Sequence, residues 1–266
     1  MKTTHTLAEN EIYVEHSLPE NTAFESPLVL VHGSFGGFWM WNTIVPVLVD
    51  GGFECVTFSL RGHAPSGGKL GQAGMTDYVE DLSLVIRNLE LKDPVAVGQS
   101  MAGLAVLMYA GEYPVRAVVS IDPSPSLEVQ GPGSDEAAAK IPDVYTPMEA
   151  GMPADPAEAM RALPDVPKDV LLRMGDMFGP ESGKARRERK RGISVPRESI
   201  AQPILFIGAE HGDSVEFGIS FESTRQMAEY YDSELVEIRG ATHPGILIGE
   251  HAPEVARSLS EWVINK

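Results

Sequence analysis

The sequence predicts an α/β protein: a doubly wound, mostly parallel sheet with helices on both faces, interrupted once by an inserted helical segment. Three observations carry this. Short apolar runs alternate with amphipathic helical patterns along most of the chain, as parallel strands with crossover helices require. The rhythm stops at 123–199 and then resumes. Chemistry-bearing residues stand in loops directly after predicted strands, where parallel sheets place reactive groups.

Residues 11–16 (EIYVEH) alternate as a strand with one wet face. Residues 27–31 (PLVLV) form a continuous apolar run, expected of a strand buried on both faces. Residues 53–58 are aromatic and β-branched. A helix is predicted over 76–91, with Thr76 as cap and Tyr78, Leu82, Val85, Ile86 and Leu89 on one face. A strand at 94–98, a helix at 101–112 and a strand at 116–121 follow. Segment 123–199 is rich in proline and holds short helical patterns with no convincing strand. Beyond it come a strand at 203–207, a helix at 219–231, a strand at 234–239 and a helix at 252–264. The two flanks need each other to complete the sheet. Residues 1–122 and 200–266 are therefore expected to form one core, and 123–199 a helical cap inserted into it.

The formal net charge is −17, which opposes encounter with nucleic acid or anionic membranes. Cys55 is the only cysteine, so no intrachain disulfide forms, as suits a reducing compartment. The first residues lack the apolar stretch of a secretory signal, and no apolar run is long enough to span a bilayer. A cytoplasmic protein acting on a small molecule is expected. A homodimer is compatible with the sequence.

The stretch Gly98-Gln99-Ser100-Met101-Ala102-Gly103 passes from strand to helix on a serine, with small residues two before and two after it. Such a tight turn strains the serine and admits only small neighbours. It presents Oγ at the carboxyl end of the sheet and at the amino end of a helix, where developing negative charge is favoured. A serine hydroxyl needs a base, and the base needs an orienting group. Downstream, Gly208-Ala209-Glu210-His211-Gly212-Asp213 follows one strand and Gly240-Ala241-Thr242-His243 follows the next. The order is Ser, acid, His. Upstream, the glycines of His32-Gly33-Ser34-Phe35-Gly36-Gly37 let backbone N–H groups approach a substrate oxygen.

With these residues assembled, the chain resembles the α/β-hydrolase superfamily over nearly all of its length outside the insertion. His32-Gly33, Arg61-Gly62-His63, the Ser100 turn and His243 occur in the family's order. His32 through Trp41 is similar to the hydroxynitrile-lyase and methylesterase branch. The resemblance implies Ser100 as nucleophile, His243 as base and then acid, and Asp213 as the group that orients His243. It implies an oxyanion hole from the N–H groups of Ser34 and Met101. Relatives commonly carry the acid three or four positions after the glycine that ends its strand, whereas Asp213 stands five after Gly208. Glu210 in the same loop and Asp122 after the strand at 116–121 are the alternatives. Asp122 also reads as a turn residue before Pro123. At Gln99 relatives often have histidine.

His32 and His63 are expected to hold loops rather than to react. His5, His16, His211 and His251 show no metal-ligand spacing, and neither metal nor cofactor is expected. Phe35, Trp39, Met148, Met152 and Met177 are candidates for an adaptable apolar wall over the site, or for ordinary packing. The basic run 184–191 reads as a solvated helix face, or else as an attractor of an anionic substrate. The expected function is a cofactor-independent serine hydrolase acting on an ester, lactone or thioester. Its rivals are a lyase or C–C bond hydrolase on the same fold, and a ligand receptor without turnover.

Overall fold

The computed structural model describes residues 2–8 and 11–266. Among these are ten strands: β1 (Lys2–Ala8), β2 (Ile12–Leu18), β3 (Phe24–Val31), β4 (Phe53–Phe58), β5 (Val95–Gln99), β6 (Ala117–Ile121), β7 (Val144–Tyr145), β8 (Glu181–Ser182), β9 (Ile204–His211) and β10 (Glu234–Thr242). All but β7 and β8 form one sheet, in the order β1-β2-β4-β3-β5-β6-β9-β10. β1 and β2 are antiparallel to their neighbours, and the remaining pairs are parallel. The helices of the core are α1 (Ile44–Asp50), α2 (Met75–Asn88) and α3 (Met101–Glu112). Segment 123–199 carries α4 (Leu127–Gln130), α5 (Asp135–Ala139), α6 (Pro156–Ala162), α7 (Lys168–Gly175) and α8 (Gly183–Arg191). The last helices are α9 (Phe221–Tyr231), α10 (Gly245–Ile248) and α11 (Ala252–Ile264). No helix among the described residues is long and apolar enough to cross a membrane.

Period-two alternation in the central strands divides the core. Val29, Val31, Val56, Phe58 and Phe206 pack beneath α2, α3 and α9. Leu28, Leu30, Cys55, Leu205 and Ile207 pack beneath α1, α10 and α11 on the other face. Strands buried on both faces explain why 27–31 shows no polar alternation.

The elements of the structure depart from the sequence reading in several places. α2 is capped not by Thr76 but from Gly74, whose N–H donates to the Asp77 carboxylate at 2.7 Å. α1 went unpredicted, because Pro46 lies inside a seven-residue helix. β1 went unpredicted as well, its edge position leaving a weak apolar signal. Within 123–199, β7 and β8 form a two-residue antiparallel ribbon, too short to leave a pattern.

α8 is also more than a solvated face, since Arg186 and Arg189 are only 7% and 6% exposed. A buried cluster ties it to the core. The Glu181 carboxylate is fully buried and accepts from Tyr78 Oη (2.8 Å), Ser182 N (2.6 Å) and Phe35 N (3.3 Å), and pairs with His63 Nε2 at 3.2 Å. Burial would raise the Glu181 pKa, but the charge and hydrogen bond of His63 outweigh it and hold it at about 2. Burial would lower the His63 pKa, but Glu181 raises it above the ordinary value. The raised histidine stabilises the fold fully below its ordinary value near 6.5, and that contribution is lost as pH rises through the folded value. The depressed carboxylate contributes fully above about 4.5 and loses its contribution as pH falls towards about 2. The stability gap between the native chain and Glu181→Gln should therefore peak between about pH 4.5 and 6.5. Urea unfolding at several pH values measures it, and a gap independent of pH would refute the pairing.

Candidate active site

Three strained residues mark the carboxyl edge of the sheet. Phe35, Ser100 and Asp122 have φ of 66°, 59° and 44°. They lie in the connections that follow β3, β5 and β6. Non-glycine residues in this region cost roughly 1–3 kcal/mol and persist where the surroundings hold them.

Ser100 sits between β5 and α3, with no loop between them. Its N–H donates to Ile121 O at 2.9 Å, and its own carbonyl accepts from Gly103 N and Ser124 N at 3.0 and 2.9 Å. These bonds fix the turn from three directions. A Cβ on Gly98 would overlap the Ala102 carbonyl, which is why the sequence is small on both sides of the serine.

His243 stands one residue beyond β10. Its Nε2 lies 3.0 Å from Ser100 Oγ, and its Nδ1 lies 2.6 Å from Asp122 Oδ2. A carboxylate only accepts, so Nδ1 carries the proton and Nε2 is free to take one from the serine. Asp122 is fully buried, and its Oδ1 accepts from Ala209 N at 3.3 Å. The carboxylate that meets His243 is thus Asp122, and not Asp213 as expected. Asp213 is exposed. Glu210 accepts from Gly240 N at 2.8 Å instead of meeting His243. The loop does pass over the acid, but with Gly212, where a Cβ would lie 2.5 Å from Asp122 Oδ2. Gly212 is small enough to admit the carboxylate that follows β6.

His32 holds the loop after β3, as expected. Its Nδ1–H donates to Gly33 O at 2.7 Å, and its Nε2 accepts from Leu60 N at 3.0 Å. Burial, and then the nearby His63, lower its pKa to about 3. It stays neutral with both ring nitrogens in use. Phe35 N–H is spent on Glu181. Met101 opens α3, where N–H groups have no partner within the helix. Arg61 is anchored on α2 by the buried Asp81, which accepts from its backbone N at 2.8 Å and from Nε at 2.7 Å.

Besides Ser100 and His243, the cavity is lined by Ser34, Met40, Met152, Phe178 and Phe217. Of the wall candidates, only Met152 reaches it. Met148 and Met177 are 63% and 44% exposed. Phe35 packs behind the wall against Tyr145, with ring centroids 5.2 Å apart, and Trp39 packs against Phe178 at 5.3 Å. Trp41 is fully buried.

A sequence model of the Alpha/beta hydrolase family matches residues 28–258. The chain belongs to this family. A curated relative, 2-(acetamidomethylene)succinate hydrolase of Mesorhizobium japonicum, is 24% identical over 86% of this chain and 84% of its own length. A thermophilic esterase from Thermogutta terrifontis superposes with a TM-score of 0.73 at 20% identity, covering 100% of this chain and 99% of the esterase. The enol-lactonase from Burkholderia xenovorans LB400 gives 0.72 at 16% identity, over 99% and 100% of the two chains. The likeness to these two structures is one of fold.

Two further contacts of this hydrolase-family site carry no sequence signal. Asp165, from segment 123–199, accepts from Thr242 N at 2.8 Å and from Thr242 Oγ1 at 2.7 Å, beside His243. Gln99 Nε2 lies 3.2 Å from His243 O and 3.3 Å from its Nε2. Both position the histidine from distant points in the chain.

Proposed function

We propose that the chain is a cofactor-independent serine hydrolase that cleaves a carboxylic ester, lactones and thioesters included, through an acyl-enzyme. The observation that carries this reading is the unbroken hydrogen-bond chain from Ser100 Oγ through His243 to buried Asp122. Ser100 Oγ attacks the carbonyl carbon as its proton passes to His243 Nε2, and Asp122 stabilises the imidazolium formed. The carbonyl oxygen becomes an oxyanion at the N–H groups of Ser34 and Met101. The intermediate collapses, the bond to the leaving group breaks, and His243 returns its proton to that group. Water then gives a proton to His243 and its oxygen to the acyl carbon, and Ser100 is regenerated with the free acid.

The expected substrate is a small molecule with an apolar part, because thioether and aromatic side chains line the cavity. A lyase of the cyanide-releasing kind gains no support, since no lysine lines that cavity among the described residues.

A reactive organophosphonate tests the reading without a known substrate. A single adduct on Ser100, located by peptide mass spectrometry and lost in His243→Ala, is expected. An unlabelled Ser100 in the native chain would refute the activated nucleophile.

A further inference from the structure

The region next to the nucleophile holds a cationic corner that the reaction above does not use. Arg189 is 6% exposed. Its Nη1 donates to Ser124 Oγ at 3.1 Å, its Nη2 to Ser34 Oγ at 3.4 Å, and its Nε to Ala185 O at 3.3 Å. Every one of these partners is neutral. Ser34 lines the cavity with Ser100, and Ser124 N–H donates to the Ser100 carbonyl at 2.9 Å. The guanidinium is therefore joined to the nucleophile's surroundings through two hydroxyls.

Arg186 stands beside it, 7% exposed, with its guanidinium 4.5 Å from the Tyr145 ring centroid and 4.9 Å from that of Phe217. Its carboxylate partner, Glu216, is largely exposed. Arg186, Arg189, Ser124 and Phe217 line a second cavity, and Phe217 and Ser34 connect it with the catalytic one. The buried Tyr145 hydroxyl forms no hydrogen bond of good geometry.

Glu181 does not neutralise this corner by contact. Its four hydrogen bonds go to Tyr78, Ser182, Phe35 and His63, which uses its accepting capacity. Arg189 also lies 5.9 Å from the Phe217 ring centroid and feels the Glu181 charge at a distance, but its hydrogen bonds go only to hydroxyls and a carbonyl. A carboxylate is the group that best matches such a buried guanidinium, through a bidentate pair. The corner is also exceptional in a chain of formal charge −17.

We propose that the substrate carries a carboxylate on a short arm from the scissile ester, seated on Arg189 with Arg186 beside it. This rests on the serine-hydrolase reading and names its substrate class: an anionic half-ester rather than a neutral one. Arg189 binds by paired hydrogen bonds, and the Ser34 and Ser124 hydroxyls it now holds are released to the same carboxylate.

The test compares matched esters. Hydrolysis of monoethyl succinate, glutarate and adipate is followed beside ethyl butyrate, valerate and hexanoate, and carboxymethyl butyrate covers an arm on the alcohol side. At least one anionic ester should exceed its neutral counterpart in kcat/KM by about tenfold or more. Arg189→Met should collapse that ratio, and Arg189→Lys should restore part of it. Glutarate should inhibit the native chain competitively where butyrate does not, a result that needs no variant to fold. Turnover of neutral esters with no anionic ester preferred and no inhibition by glutarate would overturn this inference and leave the hydrolase standing. Absence of all turnover together with an unlabelled Ser100 would overturn both.

Discussion

Asp122→Asn is expected to lower kcat/KM by about 10⁴-fold, while Asp213→Asn leaves it within about twofold. The asymmetry follows from the bond at 2.6 Å between Asp122 Oδ2 and His243 Nδ1. An amide has nearly the shape of a carboxylate, so the buried site still fills. It carries no charge, so it cannot stabilise the imidazolium, and its NH2 group can turn the imidazole to the wrong tautomer. Asp213 is exposed, and its neutralisation changes surface charge alone. Steady-state turnover of a preferred ester, with thermal melts to confirm folding, decides between the two carboxylates. A large loss in Asp213→Asn with an active Asp122→Asn would return the role to the loop after β9.

Glu181→Ala should cost about 3–5 kcal/mol of stability, among the largest effects expected of any single change here. One carboxylate serves four donors, among them His63 and the Phe35 N–H. Removing it leaves a buried imidazole and a buried phenol without their acceptor, and such unpaired groups pay their full desolvation penalty. The effect reaches the chemistry as well. Phe35 follows Ser34 at φ 66°, and its bond to Glu181 helps hold that strained turn. Turnover should fall in Glu181→Ala more than the unfolded fraction explains. Glu181→Gln, which keeps an acceptor, should recover part of both losses. Urea midpoints and turnover at a temperature where both variants are folded measure the two effects separately. An alanine variant as stable as the native chain would refute the cluster's structural role.

Much of the core was legible in the sequence. Period-two and helical patterns are set by which face of an element meets apolar neighbours, so they appear in the order of residues along one segment. β4 and α3 match their predicted bounds for that reason. Ser100 was legible too, because its strained turn restricts residues two positions away, and a local constraint leaves a local trace. His243 followed from its place after a strand. The acid was not decided in this way. The resemblance favoured Asp213, with Asp122 and Glu210, which also follow predicted strands, as alternatives. Only the stacking of β6 beside β9, with the bare Cα of Gly212 over the carboxylate, delivers Asp122 to the histidine. The basic run likewise read as a solvated face, because a charged run shows no apolar stripe. Its burial depends on the rings of Tyr145 and Phe217, which come from two other segments. By itself the sequence determined most strands of the sheet and singled out Ser100 and His243, since each rests on residues adjacent along the chain. The tertiary structure alone brought Asp122 to His243 and formed the cationic corner, since those depend on distances between strands and segments far apart in sequence.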